Sequence, residues 1–108
     1  EIRARNSEAP ILLIGFYNPF SIITDEYTPF EAIVNEWNDT IQQIATDDSN
    51  ACFVPISDLF VTNAGMVYHT DFFHPSASGY EQMTERIMEY MKLCDIEEMS
   101  EGRIGIEE

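Results

Sequence analysis

The chain has 108 residues, with 20 acidic against 5 basic side chains, a net charge of −15 and an apolar fraction of 44%. This suits one small globular domain, while the charge repels a phosphate backbone or an anionic membrane surface and so argues against nucleic acid as a partner. Arg3, Arg5, Arg86, Lys92 and Arg103 are scattered rather than gathered into a basic patch, no apolar run reaches the roughly 20 residues of a bilayer span, and repeats, phosphate-binding glycine loops and sustained heptads are absent.

In chain order, residues 1–10 read as the end of a helix and a connection, with Pro10 forbidding helix continuation. This opening is expected to lie inside a longer chain. Residues 11–17 are near-continuously apolar rather than alternating, the pattern of a buried parallel strand covered on both faces. Asn18-Pro19 ends it, and residues 20–26 form a connecting loop without clear periodicity. Thr28-Pro29-Phe30-Glu31 then has capping-box spacing with proline at the first helical position. Phe30, Ile33, Val34, Trp37, Ile41, Ile44 and Ala45 follow as one helical stripe, expected to pack on the sheet with Trp37 in the core.

Residues 47–50 are a turn cluster, and residues 51–56 a second short buried strand closed near Pro55. Strand, helix, strand in this order predicts a parallel, right-handed crossover. Two cysteines are present, Cys52 in the second strand and Cys94 beyond the last helix; their placement permits a disulfide without indicating one, and Cys52 is read as a small core hydrophobe. Residues 57–70 are a long connection with a helical turn at Asp58-Leu59-Phe60 and a break at Asn63-Ala64-Gly65. Ser76 or Ser78 caps a final helix whose buried stripe is Tyr80, Met83, Ile87 and Met91. Residues 95–108 lack a sustained period, carry much acid and read as a frayed or partner-dependent tail.

Long loops at the carboxyl ends of parallel strands are where α/β sheets build their sites. Here that connection leads into Thr70-Asp71-Phe72-Phe73-His74-Pro75-Ser76-Ala77-Ser78-Gly79-Tyr80, with an acid and an imidazole three residues apart just before a helix. A histidine acting as general base needs a second group to hold its tautomer and stabilise its charged form, and Asp71 is placed to serve. The plain alternative is an acid that only caps a helix or compensates its dipole. Asp58 competes with Asp71 as the histidine's partner, and His69 with His74 as the base. His69, Asp71 and His74 also carry metal-ligating groups, but three ligands crowded into six residues, without a supporting Cys or distant His, seldom close a shell.

The string Asp71-Phe-Phe-His74-Pro-Ser-Ala-Ser-Gly79-Tyr80 resembles the last block of the SGNH, or GDSL-type, ester hydrolases, whose D-x-x-H-P segment supplies the triad's Asp and His. The upstream Ile11-Leu-Leu-Ile-Gly15-Phe-Tyr17-Asn18-Pro19-Phe20 is similar to a strand and "YNPF" exit in bacterial lipase/acylhydrolase members. The resemblance implies a flavodoxin-like three-layer α/β/α fold with a parallel sheet, of which this chain supplies the C-terminal strands and helices. Residues 1–94 are then the C-terminal half of the domain and 95–108 an acidic tail. It further implies an ester substrate, no cofactor, His74 as base and Asp71 as its orienting acid.

The family's G-D-S nucleophile segment and its G-x-N-D oxyanion segment are absent here, and none of Ser7, Ser21, Ser49, Ser57, Ser76, Ser78 or Ser100 stands in a glycine-flanked turn after an apolar strand. The resemblance therefore puts the nucleophile in a half that precedes Glu1. That half, or self-association, is the expected partner, because two parallel strands alone leave an exposed sheet edge. A non-catalytic interaction module is the contrasting reading of the chain as it stands.

Overall fold

The computed structural model describes residues 1–18, 29–62 and 74–105. The expected loop over 20–26, the Thr28 cap, the Asn63–Gly65 break and the motif residues His69, Asp71, Phe72 and Phe73 lie outside them. Strands β1 (Ile11–Ile14) and β2 (Ala51–Val54) pair in parallel, Ile11 opposite Ala51 and Ile14 opposite Val54. Parallel neighbours need a long crossover, and helix α2 (Pro29–Asp47) supplies it, starting at the proline as its fixed φ favours. A short α1 (Ile2–Arg5) precedes β1, and α3 (Ser57–Thr62) follows β2. The long α4 (Ala77–Leu93) and a single-turn α5 (Ile96–Met99) complete the described chain. The result is an α/β arrangement with a small parallel sheet.

The core lies between β2 and α4. Val54, Ile56 and Phe60 are buried, with Leu12, Ile14, Tyr17, Met83, Ile87 and Tyr90 packed around them. Leu12 and Ile14 alternate toward this cluster, as the two-residue period of a strand requires. Tyr17 stacks on Phe60 with ring centroids 4.1 Å apart. Ser76 caps α4, its hydroxyl accepting from the Gly79 amide at 3.1 Å, which resolves the choice between Ser76 and Ser78.

Five expectations are corrected. β1 is half-buried along its length rather than buried, because the described sheet is only two strands wide and cannot cover the strand on every side. The α2 stripe splits. Val34 and Ala45 are buried, but Ile33, Trp37 and Ile44 are 55%, 57% and 56% exposed, because the helix turns its 34, 38, 41, 45 line to the sheet and the neighbouring line away from it. Tyr80 is likewise exposed at the outer side of α4.

Cys52 is buried, but as half of a disulfide with Cys94, which closes a sequence separation of 42 residues. Finally, residues 96–100 are folded rather than frayed: Ile96 and Ser100 are buried, Asp95 caps α5 through the Glu98 amide, and Gly102, at φ 82°, donates back to the Glu97 carbonyl at 2.7 Å. Asp95 with Glu98 three residues on is a helix-start spacing that marks this turn in the sequence.

Helices α1 and α5 both meet the turn before β2. Arg3 donates to both oxygens of Asp48 at 2.9 and 3.0 Å and to the Asn50 carbonyl, while the Asn50 side-chain nitrogen donates to the carbonyls of Glu8 and Met99. These bonds hold α1 beside the last turn of α2 and the end of α5 beside the start of β2.

Because loop closure in the unfolded chain scales with the loop's length, the Cys52–Cys94 bond should contribute about 4 kcal/mol of stability on the chain-entropy account. Chemical denaturation with and without reductant measures this. A midpoint that falls markedly on reduction is expected; an unchanged midpoint would mean that the bond does not constrain the fold.

Candidate active site

Both strands run in one direction, so their carboxyl ends share an edge. At the end of β1 the Gly15 amide donates to the Val54 carbonyl at 2.9 Å. The Asn38 side chain brackets Phe16, accepting from its amide at 2.7 Å and donating to its carbonyl at 3.0 Å. A Cβ on residue 15 would meet the Asn38 oxygen and the Phe53 ring at 3.1 Å, so this close approach of strand exit to helix calls for glycine. Asn18, buried, donates to the Glu31 carboxylate in the first turn of α2 at 2.6 Å.

The exit of β2 is held by Arg86 of α4. Its guanidinium donates to the Pro55 carbonyl at 2.9 Å and, through two nitrogens, to both oxygens of Asp58 at 2.8 and 2.7 Å. This fork geometry suits arginine and a carboxylate specifically. Asp58, a competing partner for the histidine on sequence grounds, thus has an ion pair of its own. Arg86 is the residue that sequence reasoning missed. The pair spans 28 positions, and spacing rules detect only partners a few residues apart.

The direction of α4 follows from what it touches along β2. Cys94 bonds Cys52, Cys52 also lies against the Tyr90 carbonyl, and Arg86 reaches Pro55. Moving toward the start of α4 therefore moves toward the carboxyl edge of the sheet. At 1.5 Å per residue, the first residue of α4 lies roughly 13 Å past Arg86 along the helix axis. His74 precedes the Ser76 cap and buried Pro75 at this end, and it is exposed. Asp71 and His69 fall outside the described residues.

Among the described residues no three His, Cys, Asp or Glu side chains cluster as metal ligands, and no helix is long and apolar enough to cross a membrane. Among the described residues Ser76, Ser78 and Ser100 have structural hydrogen bonds: Ser76 caps α4, Ser78 accepts from Gln82 at 3.3 Å, and the Ser100 hydroxyl donates to the Glu97 carbonyl while accepting from the Ile104 amide.

Comparison with known proteins identifies the class to which this α/β unit with its parallel sheet belongs. The chain belongs to the GDSL-like Lipase/Acylhydrolase family, whose model matches residues 1–82. It is also similar to YpmR of Bacillus subtilis (strain 168), described as an uncharacterized protein, with 30% identity over 94 residues. That match covers 85% of this chain and 37% of YpmR, so the chain spans little over a third of this relative's length.

The Arg86 guanidinium holds the Asp58 carboxyl below the usual carboxylate range, chiefly by its hydrogen bonds, against a smaller opposing effect of burial. A depressed folded-state pKa adds stability above the unfolded pKa that is lost as pH falls through the folded value. Asp58 is 59% exposed, so the pair is screened and worth about 1 kcal/mol at most. Asp58→Asn should therefore lower the melting temperature slightly at neutral pH and leave it unchanged in acid well below pH ~4. Melting curves of both proteins across that range check this, and a difference that persists in acid would deny the pair its role.

Proposed function

We propose that this chain carries the base and the orienting acid of a serine ester hydrolase: His74 as general base and Asp71 as the carboxylate that orients it, with the serine supplied by polypeptide outside Glu1–Glu108. The observation that supports this reading most is the position of His74, exposed at the start of α4 on the carboxyl side of a parallel sheet, the edge where such sheets bind ligands. Membership of a lipase/acylhydrolase family supports the reaction class. In this mechanism one imidazole nitrogen of His74 takes the proton from the serine hydroxyl as its oxygen attacks the ester carbonyl. The protonated imidazole then donates to the departing alcohol, leaving an acyl-enzyme. Water, deprotonated by the same imidazole, releases the carboxylic acid. Asp71 accepts a hydrogen bond from the other ring nitrogen and stabilises the imidazolium without itself taking the proton.

The chain by itself is then a non-catalytic module. The structural hydrogen bonds of Ser76, Ser78 and Ser100 favour this, since none of the three hydroxyls is presented in a strand-to-helix elbow.

Labelling the active protein with a fluorophosphonate serine probe, followed by peptide mass spectrometry, tests the assignment. The label should fall on a serine outside this chain, and His74→Ala should abolish labelling and ester turnover with the fold intact. Asp71→Asn should cost roughly 10⁴-fold in kcat by leaving the imidazole in the wrong tautomer. A label on Ser76 or Ser78, or near-normal turnover by His74→Ala, would overturn the assignment.

A further inference from the structure

Three elements meet on the guanidinium of Arg86. From α4 it reaches the Pro55 carbonyl at the exit of β2 at 2.9 Å and both carboxylate oxygens of Asp58, in the first turn of α3, at 2.8 and 2.7 Å. Glu89 lies 4.0 Å from it on the same helix and so ties in no further element. The Arg86 side chain is 19% exposed and that of Asp58 59%. A pair this open on one side is screened by solvent and adds little to stability. Its geometry matters more than its energy.

Helix α3 ends at Thr62 and α4 begins at Ala77, so the stretch of sequence that carries Asp71 and His74 leads from one of the two joined helices to the other. Phe60 of α3 shares a core cluster with Met83 and Ile87 of α4, but apolar packing is non-directional and tolerates small slides and turns. A forked guanidinium-carboxylate pair fixes both offset and rotation. Counted at 1.5 Å per residue, the start of α4 lies roughly 13 Å from Arg86 and roughly 26 Å from Cys94. With the fork gone, a tilt of α4 about its disulfide would displace that start about twice as far as the same tilt about Arg86.

We propose, on the reading of His74 as the general base, that Arg86 and Asp58 are a positioning pair for the reaction: by tying α3 to α4 and to the exit of β2 they set where the His74 imidazole stands. Neither residue touches the reacting atoms in this scheme. Their contribution is to rate rather than to stability, because a displacement of about 1 Å that barely alters folding can cost ~10²-fold in turnover.

Arg86→Lys keeps the charge but cannot fork onto Asp58 while holding the Pro55 carbonyl. In the active protein, hydrolysis of a p-nitrophenyl ester by this variant should show kcat lowered about ten-fold or more and KM within about two-fold of its original value. Asp58→Asn should act in the same direction, and adding it to Arg86→Lys should cost little more, because both remove one interaction. Ile96→Ala truncates a buried side chain of α5; it should lower the melting temperature at least as much and leave kcat unchanged below its transition. The proton-NMR resonance of the His74 imidazole, identified by its loss in His74→Ala, should move in Arg86→Lys and stay in place in Ile96→Ala. Near-normal kcat in Arg86→Lys, or an unmoved His74 resonance, overturns the inference, as does an equal loss of kcat in Ile96→Ala. If the protein turns over no ester, or His74→Ala retains turnover, while the resonance moves, His74 loses its role as base and the pair keeps its role in placing the side chain. If His74→Ala abolishes turnover and Arg86→Lys does not reduce it, the esterase reading stands and the positioning pair falls.

Discussion

Parallel pairing of β1 with β2 is the constraint from which the rest of this structure follows. Two strands that run the same way cannot be joined by a tight turn, so the nineteen residues of α2 must carry the chain back from one end of the sheet to the other. Both carboxyl ends then lie at a single edge. The Phe16–Asn38 bracket, the Asn18–Glu31 bond and the Arg86 clamp on Pro55 and Asp58 all secure chain segments as they leave that edge. The opposite edge has a different character: Arg3, Asp48 and Asn50 gather α1 and α5 there, and no candidate catalytic group lies among them.

Helix α4 converts this layout into the placement of one imidazole. It is anchored to β2 near its own end by Cys94, in its middle by Met83 and Ile87 in the core, and laterally by Arg86. Three attachments of different kinds, covalent, apolar and ionic, leave a helix little freedom to slide or swing. Its first turn, and His74 just before it, projects past the strand ends as a consequence. The position of His74 is thus set by residues far from it in sequence.

Much of the local structure is legible in the residues themselves. Pro29 opens α2, Pro55 follows β2, and a capping serine precedes α4, because these signals act through φ angles and hydrogen bonds to the adjacent backbone. The Asp71–His74 spacing likewise singled out the segment leading into α4. What escaped were relations between distant positions. Cys52 alone has the character of a core hydrophobe, and only the alignment of α4 along β2 brings Cys94 to it. Arg86 and Asp58 look like two solvated charges until α3 and α4 are set side by side. The exposure of Trp37 is the instructive failure. Helical periodicity shows that an apolar line exists, but which part of it meets the sheet depends on the sheet's width.

The sequence by itself determined β1, α2, β2 and α4 in their order and the parallel sense of the crossover, and it singled out His74 and Asp71 as candidates, because each depends on backbone preferences or on residues a few positions apart. The tertiary structure alone decided the Cys52–Cys94 bond, the partner of Asp58, the burial of Ile96 and the Asn50–Met99 bond that secure the acidic segment, and the uncovered line along α2. Those features arise from the rotation and offset of whole elements against one another. Burial and long-range pairing are properties of that packing, and no local pattern encodes them.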